Sequence, residues 1–222
     1  MICSLDQYHL NLKPPLTTIQ MLTEKQFWDW FQANEAKYFF LNQVDDEIER
    51  ERILDELLEQ LHLYCDHLYF EVGGEPNEQQ DIIITAGGNT DFFDKVETLV
   101  KQAPQMEHWN VIAFKPVVEG GTIEYNNVKL NTETMYFDPL ANKASTKIGL
   151  RVYVGNYNPI DEKDFLTATY LVLDNILGEK SNALDIGYVE MENLPPFPER
   201  EELIELVKLP GYIAWKKAKN NS

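Results

Sequence analysis

A chain of 222 residues carries 37 Asp and Glu against 19 Lys and Arg, a formal charge of −18, which opposes nucleic-acid phosphates and anionic membrane surfaces as partners. Its 44% hydrophobic content is ordinary for a globular chain, and no apolar run approaches the ~20 residues that span a bilayer. The N-terminal MICSLDQYHLNLKPP has no signal-peptide pattern, and the two cysteines, Cys3 and Cys65, match no metal or disulfide spacing, so a cytoplasmic protein with reduced thiols is expected.

Residues 1–20, with Pro14-Pro15, read as an arm or edge strand. Thr23 followed by Gln26 forms a capping-box pattern, and Phe27, Trp30 and Phe31 then share one face of a short helix. A second helix is predicted to begin near Val44 or Asp45, with Ile48, Leu54, Leu57, Leu58, Leu61 and Cys65 at helical spacing. Asp45, Asp46 and Glu47 suit the positive end of its dipole, and no calcium-loop spacing follows them. His62, Cys65, Asp66 and His67 are metal-ligand types, but their spacing builds no site, so none is expected. Leu68–Val72 predicts a strand antiparallel to Asp81–Ala86, with Glu71 as its one charge.

The most regular passage is Asp81–Phe114. Ile82, Ile83 and Ile84 make a β-branched strand, and Gly87-Gly88 ends it. Asn89 or Thr90 can cap a helix whose apolar face is Phe92, Phe93, Val96, Leu99, Val100 and Ala103. Pro104 stops that helix, and Trp109–Phe114 returns as a parallel strand. Beyond it, Asn126-Asn127 joins Thr122–Tyr125 to Val128–Leu130 as a hairpin. Thr134–Phe137 predicts a strand ended by Asp138-Pro139, 142–147 a polar loop, and Ile148–Val154 a half-buried strand. Asp161 caps a helix over Glu162–Leu177 that is apolar around much of its girth, buried on several sides or shared with a second copy in a homodimer. Leu184–Met191 predicts a strand. After the stiff Pro195–Pro198 connector, a helix is expected over Glu199–Leu209, and an edge strand through Tyr212, Ile213 and Trp215.

Arg151–Met191 repeats the strand–turn–helix–strand plan of Asp81–Phe114. The expected architecture is therefore one α+β domain over 1–222: a helical part at 1–66, a sheet with two strand–helix–strand units at 67–192, and a connector with a C-terminal helix at 193–222. The sheet is predicted to be ferredoxin-like or split βαβ, mixed and largely antiparallel, with an inserted hairpin.

The segments FEVGG (70–74), IIITAGGN (82–89) and WNVIAF (109–114) resemble passages in bacterial cytosolic α+β proteins of unassigned function. The resemblance covers Leu68–Phe114. It implies a bacterial cytosolic origin and carries no catalytic residues.

No nucleophile elbow, phosphate loop, zincin helix or dinucleotide fingerprint is present, so no cofactor, metal or catalytic residue is expected. Gly87, Gly88 and Asn89 can offer N–H groups to an anion. They lack the lysine of a phosphate loop, and Asp91 and Asp94 repel one. The sequence thus points first to an acidic, non-enzymatic protein-binding or regulatory module of the inhibitor or immunity type, with a basic protein as partner. The alternative is a small-molecule-binding protein or enzyme with a cleft near the Gly87–Thr90 turn, drawing on Glu71, Gly87, Gly88, Asn89 and Tyr153.

Overall fold

The computed structural model describes residues 21–74, 78–118, 120–140 and 146–220. The expected N-terminal arm, Cys3 and much of the 142–147 loop lie outside them. The chain is mixed α+β. Its described strands form three sheets, where a single one was expected.

Helix α1 (Glu24–Phe39) starts at the capping box: Thr23 accepts from the Gln26 N–H, and the Gln26 side chain accepts from the Thr23 N–H. It buries Phe27, Trp28, Phe31 and Tyr38. Trp28 therefore holds the core position expected of Trp30, which packs at the margin. Helix α2 (Glu47–Tyr64) is capped by Asp46, which accepts from the Ile48 N–H. Ile53, Leu57 and Leu61 face inward, while Ile48 is 77% exposed. Ile48 sits in the first turn, before the helix reaches the core.

Strands β1 (Tyr69–Gly73) and β2 (Gln80–Thr85) pair antiparallel. A short 3-10 turn, capped by Asn89, leads into α3 (Phe93–Lys101). Strand β3 (Trp109–Ala113) then lies parallel to β2, as the isoleucine run and amphipathic helix required. Phe93, Val96 and Leu99 are buried. The Trp28 indole donates to the Leu99 carbonyl at 2.8 Å, and the Tyr64 hydroxyl to the Lys95 carbonyl at 3.3 Å. Both leading helices are thereby tied to α3.

Strands β4 (Thr122–Tyr125) and β5 (Val128–Asn131) form the expected hairpin, with Asn126 at φ +50°. This left-handed angle suits the short polar side chain of asparagine. Strand β6 (Tyr136–Leu140) runs on through Asp138-Pro139, which does not end it. It pairs antiparallel with β7 (Ile148–Val154). Helix α4 (Glu162–Leu177) and then α5 (Glu179–Asp185) lead to β8 (Ile186–Asn193), parallel to β7.

Helix α5 replaces the start of the strand expected at Leu184. Gly178, at φ +72°, turns the chain between the two helices. The β7–β8 register then skips Gly187, since Ile148 faces Ile186 but Gly149 faces Tyr188. This bulge breaks the alternation: Ile186 and Val189 are buried, while Tyr188 is 56% exposed. An extra residue in one strand has this effect.

The C-terminal part also differs from expectation. A 3-10 turn at Glu199–Glu202 precedes β9 (Ile204–Glu205), which adds to the edge of β6. Tyr212, Ile213 and Trp215 belong to helix α6 (Leu209–Asn220), not to an edge strand. Pro210 is tolerated in the first turn of α6, where its missing N–H would have no helical partner.

Buried residues fall into two hydrophobic clusters. One gathers α1, α2, β1–β3 and α3; the other gathers β4–β8, α4 and α6. Helix α4 is covered within the chain by the β4–β5 hairpin, β8, α5 and α6. No described helix is long and apolar enough to cross a membrane.

Candidate functional site

The two strand–helix–strand units meet where the parallel strands β2 and β3 end. In open sheets, the carboxyl ends of parallel strands are where the chain leaves a crevice. Gly87 and Gly88 have φ +57° and +79°, angles open to glycine and costly for other residues. Within the turn the Gly87 N–H donates to the Thr85 hydroxyl at 3.0 Å.

The anion is internal. Glu179, at the start of α5, is 1% exposed. Its Oε1 accepts from the Ala86 and Gly88 N–H groups, each at 3.0 Å, and its Oε2 accepts from the Lys115 N–H at 3.1 Å. The Glu179 N–H in turn donates to the Lys115 carbonyl at 3.0 Å. A carboxylate with three N–H donors repays much of its desolvation cost. Gly178 lets this contact form, because a Cβ there would meet the Lys115 carbonyl at 3.2 Å.

Around Glu179 lies a charged network. The Lys115 ammonium pairs with Glu71 at 2.8 Å. Burial pulls Lys115 down, but the hydrogen bond and charge of Glu71, backed by Asp174 and Glu179, outweigh it and leave its pKa raised. Asp174, in the last turn of α4, accepts from the Asn182 amide at 2.7 Å. Burial raises its pKa despite that bond and the nearby Lys115. The geometry supplies one ammonium among carboxylates, joined into a structural lock between the halves.

Glu71 and the Gly87-Gly88 turn thus come to one place, through Lys115 and Glu179. Asn89 faces the other way in function, accepting from the Asp91 N–H as a helix cap. Tyr153 lies on β7 in the other sheet, where its hydroxyl donates to Asp138 at 3.1 Å, so it does not join the group. His62 contacts the Leu68 carbonyl, and His67 stacks on Phe92. Among the described residues no cluster suited to a metal ion occurs.

Sequence reasoning missed Glu179, Lys115 and Asp174. The one available signal was Gly178-Glu179 directly after a long apolar helix, where a glycine frees the next residue to turn inward. Beside this lock, the ends of β3 and α4, helix α5 and part of α6 line an open surface cavity of about 490 Å³. Compared with protein-family models, curated proteins and solved structures, the chain matches none.

Proposed function

We propose that this chain is an acidic, non-enzymatic binding module of the cytoplasm that recognises a basic protein surface. The observation that carries the proposal is on α2. Glu47, Glu51, Asp55 and Glu59 are all exposed at four-residue spacing, and none of them enters an ion pair among the described residues. Like charges four apart destabilise a helix by roughly 0.2–0.5 kcal/mol per pair. A ridge that works against its own helix gains when an opposite charge approaches. The exposed Ile48 beside it adds an apolar contact of the kind that anchors an interface.

The internal use of Glu179 supports the same reading. The N–H groups that a nucleotide-style ligand would need at Ala86 and Gly88 are already bonded. The proposed ferredoxin-like kinship rests on the repeated hairpin, helix and parallel strand, present in both units.

The test compares the natural chain with a variant carrying Glu47→Gln, Glu51→Gln, Asp55→Asn and Glu59→Gln. In affinity capture at low salt, the natural chain retains a basic protein that elutes steeply with rising salt, and the variant does not. Equal retention by both chains, or no basic partner at low salt, rejects the proposal.

A further inference from the structure

The cavity beside the Glu179 lock is built from elements other than the α2 ridge. Its volume, about 490 Å³, lies within the range of small-molecule sites. Ile112, Phe114, Val117, Leu177 and Leu184 give it apolar walls. Val117 and Leu184 remain 57% and 47% exposed, so an apolar ligand body has surface to cover.

The polar groups at its margin are unequal. Asp185 is occupied: the Lys217 ammonium donates to it at 2.8 Å and the Ser181 hydroxyl at 2.7 Å. Lys180 is paired instead with an exposed acid. It reaches out to Glu97 on α3, with side-chain exposures of 52% and 47%, and sits 5.3 Å from the centre of the Phe114 ring. An exposed ion pair contributes about 0–1 kcal/mol, so this ammonium can change partners at little cost.

Two further observations mark the place. Phe114 has φ +66°, an angle that costs a bulky residue of order 1–3 kcal/mol and that concentrates at ligand sites. The cavity also opens past the carboxyl ends of parallel strands, since Ala113 pairs with Ile84 in the last register step of β2 and β3. Basic residues here stand out in a chain with roughly two acids for each base.

We propose that this cavity binds a small organic carboxylate with an apolar body. The carboxylate takes the Lys180 ammonium from Glu97, and the body covers Leu184 and Val117. A linear acyl chain and a flat aromatic acid share this chemistry, and the choice of probes separates them.

Titration calorimetry at low salt uses octanoate and indole-3-acetate, with octylamine as the cationic control of matched length. Saturable binding of at least one acid is expected, with octylamine inert. Octanoate binding alone identifies the acyl form, indole-3-acetate binding alone the aromatic one. Glu97→Gln leaves Lys180 without its competing carboxylate and tightens the acid several-fold. Lys180→Met keeps the stem, removes the charge and weakens the acid about tenfold or more. Both positions are exposed, and circular dichroism verifies that each variant is folded. Failure of both acids to saturate, equal affinity for octylamine, or unchanged affinity in both variants overturns the proposal.

Discussion

The two halves share one topology but are completed differently. In each, a hairpin is followed by a helix and a strand parallel to the second hairpin strand: β1-β2-α3-β3, then β6-β7-α4-α5-β8. The first crossover helix has nine residues and the second sixteen. Helix α3 is tied to α1 and α2, whereas α4 is covered by the β4–β5 hairpin. The contrast is sharpest at the turns. Asn158 closes the turn after β7 locally, accepting from the Ile160 N–H. The turn after β2 has the same local cap, Asn89 accepting from the Asp91 N–H, but it is tied in addition from outside, by Glu179 of the other half. One unit is self-contained at that point, and the other borrows a carboxylate. The same plan of strands and helices therefore does not imply equal independence.

The most direct way to break this asymmetry is Glu179→Ala. It leaves the N–H groups of Ala86, Gly88 and Lys115 without their acceptor. Unsatisfied donors at a buried site cost about 1–3 kcal/mol each, partly recovered by water, so a loss of about 3–5 kcal/mol is expected. Denaturant unfolding measures the total. Native-state hydrogen exchange should show lost protection at the ends of β2 and β3, with β6–β7 pairing nearly unchanged. Equal losses in both sheets would mean that the halves are not asymmetric in this way.

Much of each unit was legible in the sequence, and the join between them was not. The Ile82–Ile84 run, the α3 apolar face and the Ile148–Val154 alternation are local patterns, and each appears as an element where expected. The Thr23–Gln26 capping box is similarly local. The strand expected over Leu184–Met191 is present from Ile186, and only its start failed, because Leu184 and Asp185 end a short helix that simple periodicity does not reveal. Tyr212–Trp215 failed because three apolar residues fit a strand or one helical turn equally well. The site was hidden for a different reason. Glu179 lies 93 residues from the Ala86 N–H it accepts, and no spacing rule reaches that far. Its role depends on Gly178 adopting a positive φ and on Phe114 doing the same. Such backbone angles are set by tertiary contacts, and phenylalanine gives no hint of them.

Trp28→Phe probes the layer that covers the first unit and has no counterpart in the second. Trp28 is 1% exposed, and its indole N–H donates to the Leu99 carbonyl. Phenylalanine retains most of the apolar contact but removes that bond and some volume, a cost of about 2 kcal/mol. The expected signature is faster exchange in α1 and α3, with α4 unaffected. A global loss of protection that includes α4 would show that the two clusters unfold as one.

The smallest expected effect tests the electrostatics of the junction itself. Asp174 has a carboxyl pKa raised above its ordinary 3.8, chiefly by burial, and it stands in the last turn of α4, where the helix dipole disfavours an anion. A folded-state pKa above the unfolded one means that the folded chain holds the proton more tightly. The resulting stability is complete below the unfolded value and is lost as pH rises through the folded one. At neutral pH the ionised Asp174 is therefore a small liability. Asp174→Asn keeps an oxygen to accept from Asn182 and removes the charge. It should raise stability at about pH 7 by less than about 1 kcal/mol, because Asp174 is only partly buried. The more discriminating readout is the slope. Between about pH 4 and pH 7 the natural chain should lose more stability than the variant, in paired urea titrations. Identical slopes would show that Lys115 already offsets the burial of Asp174, and the junction would then be an electrostatically balanced lock.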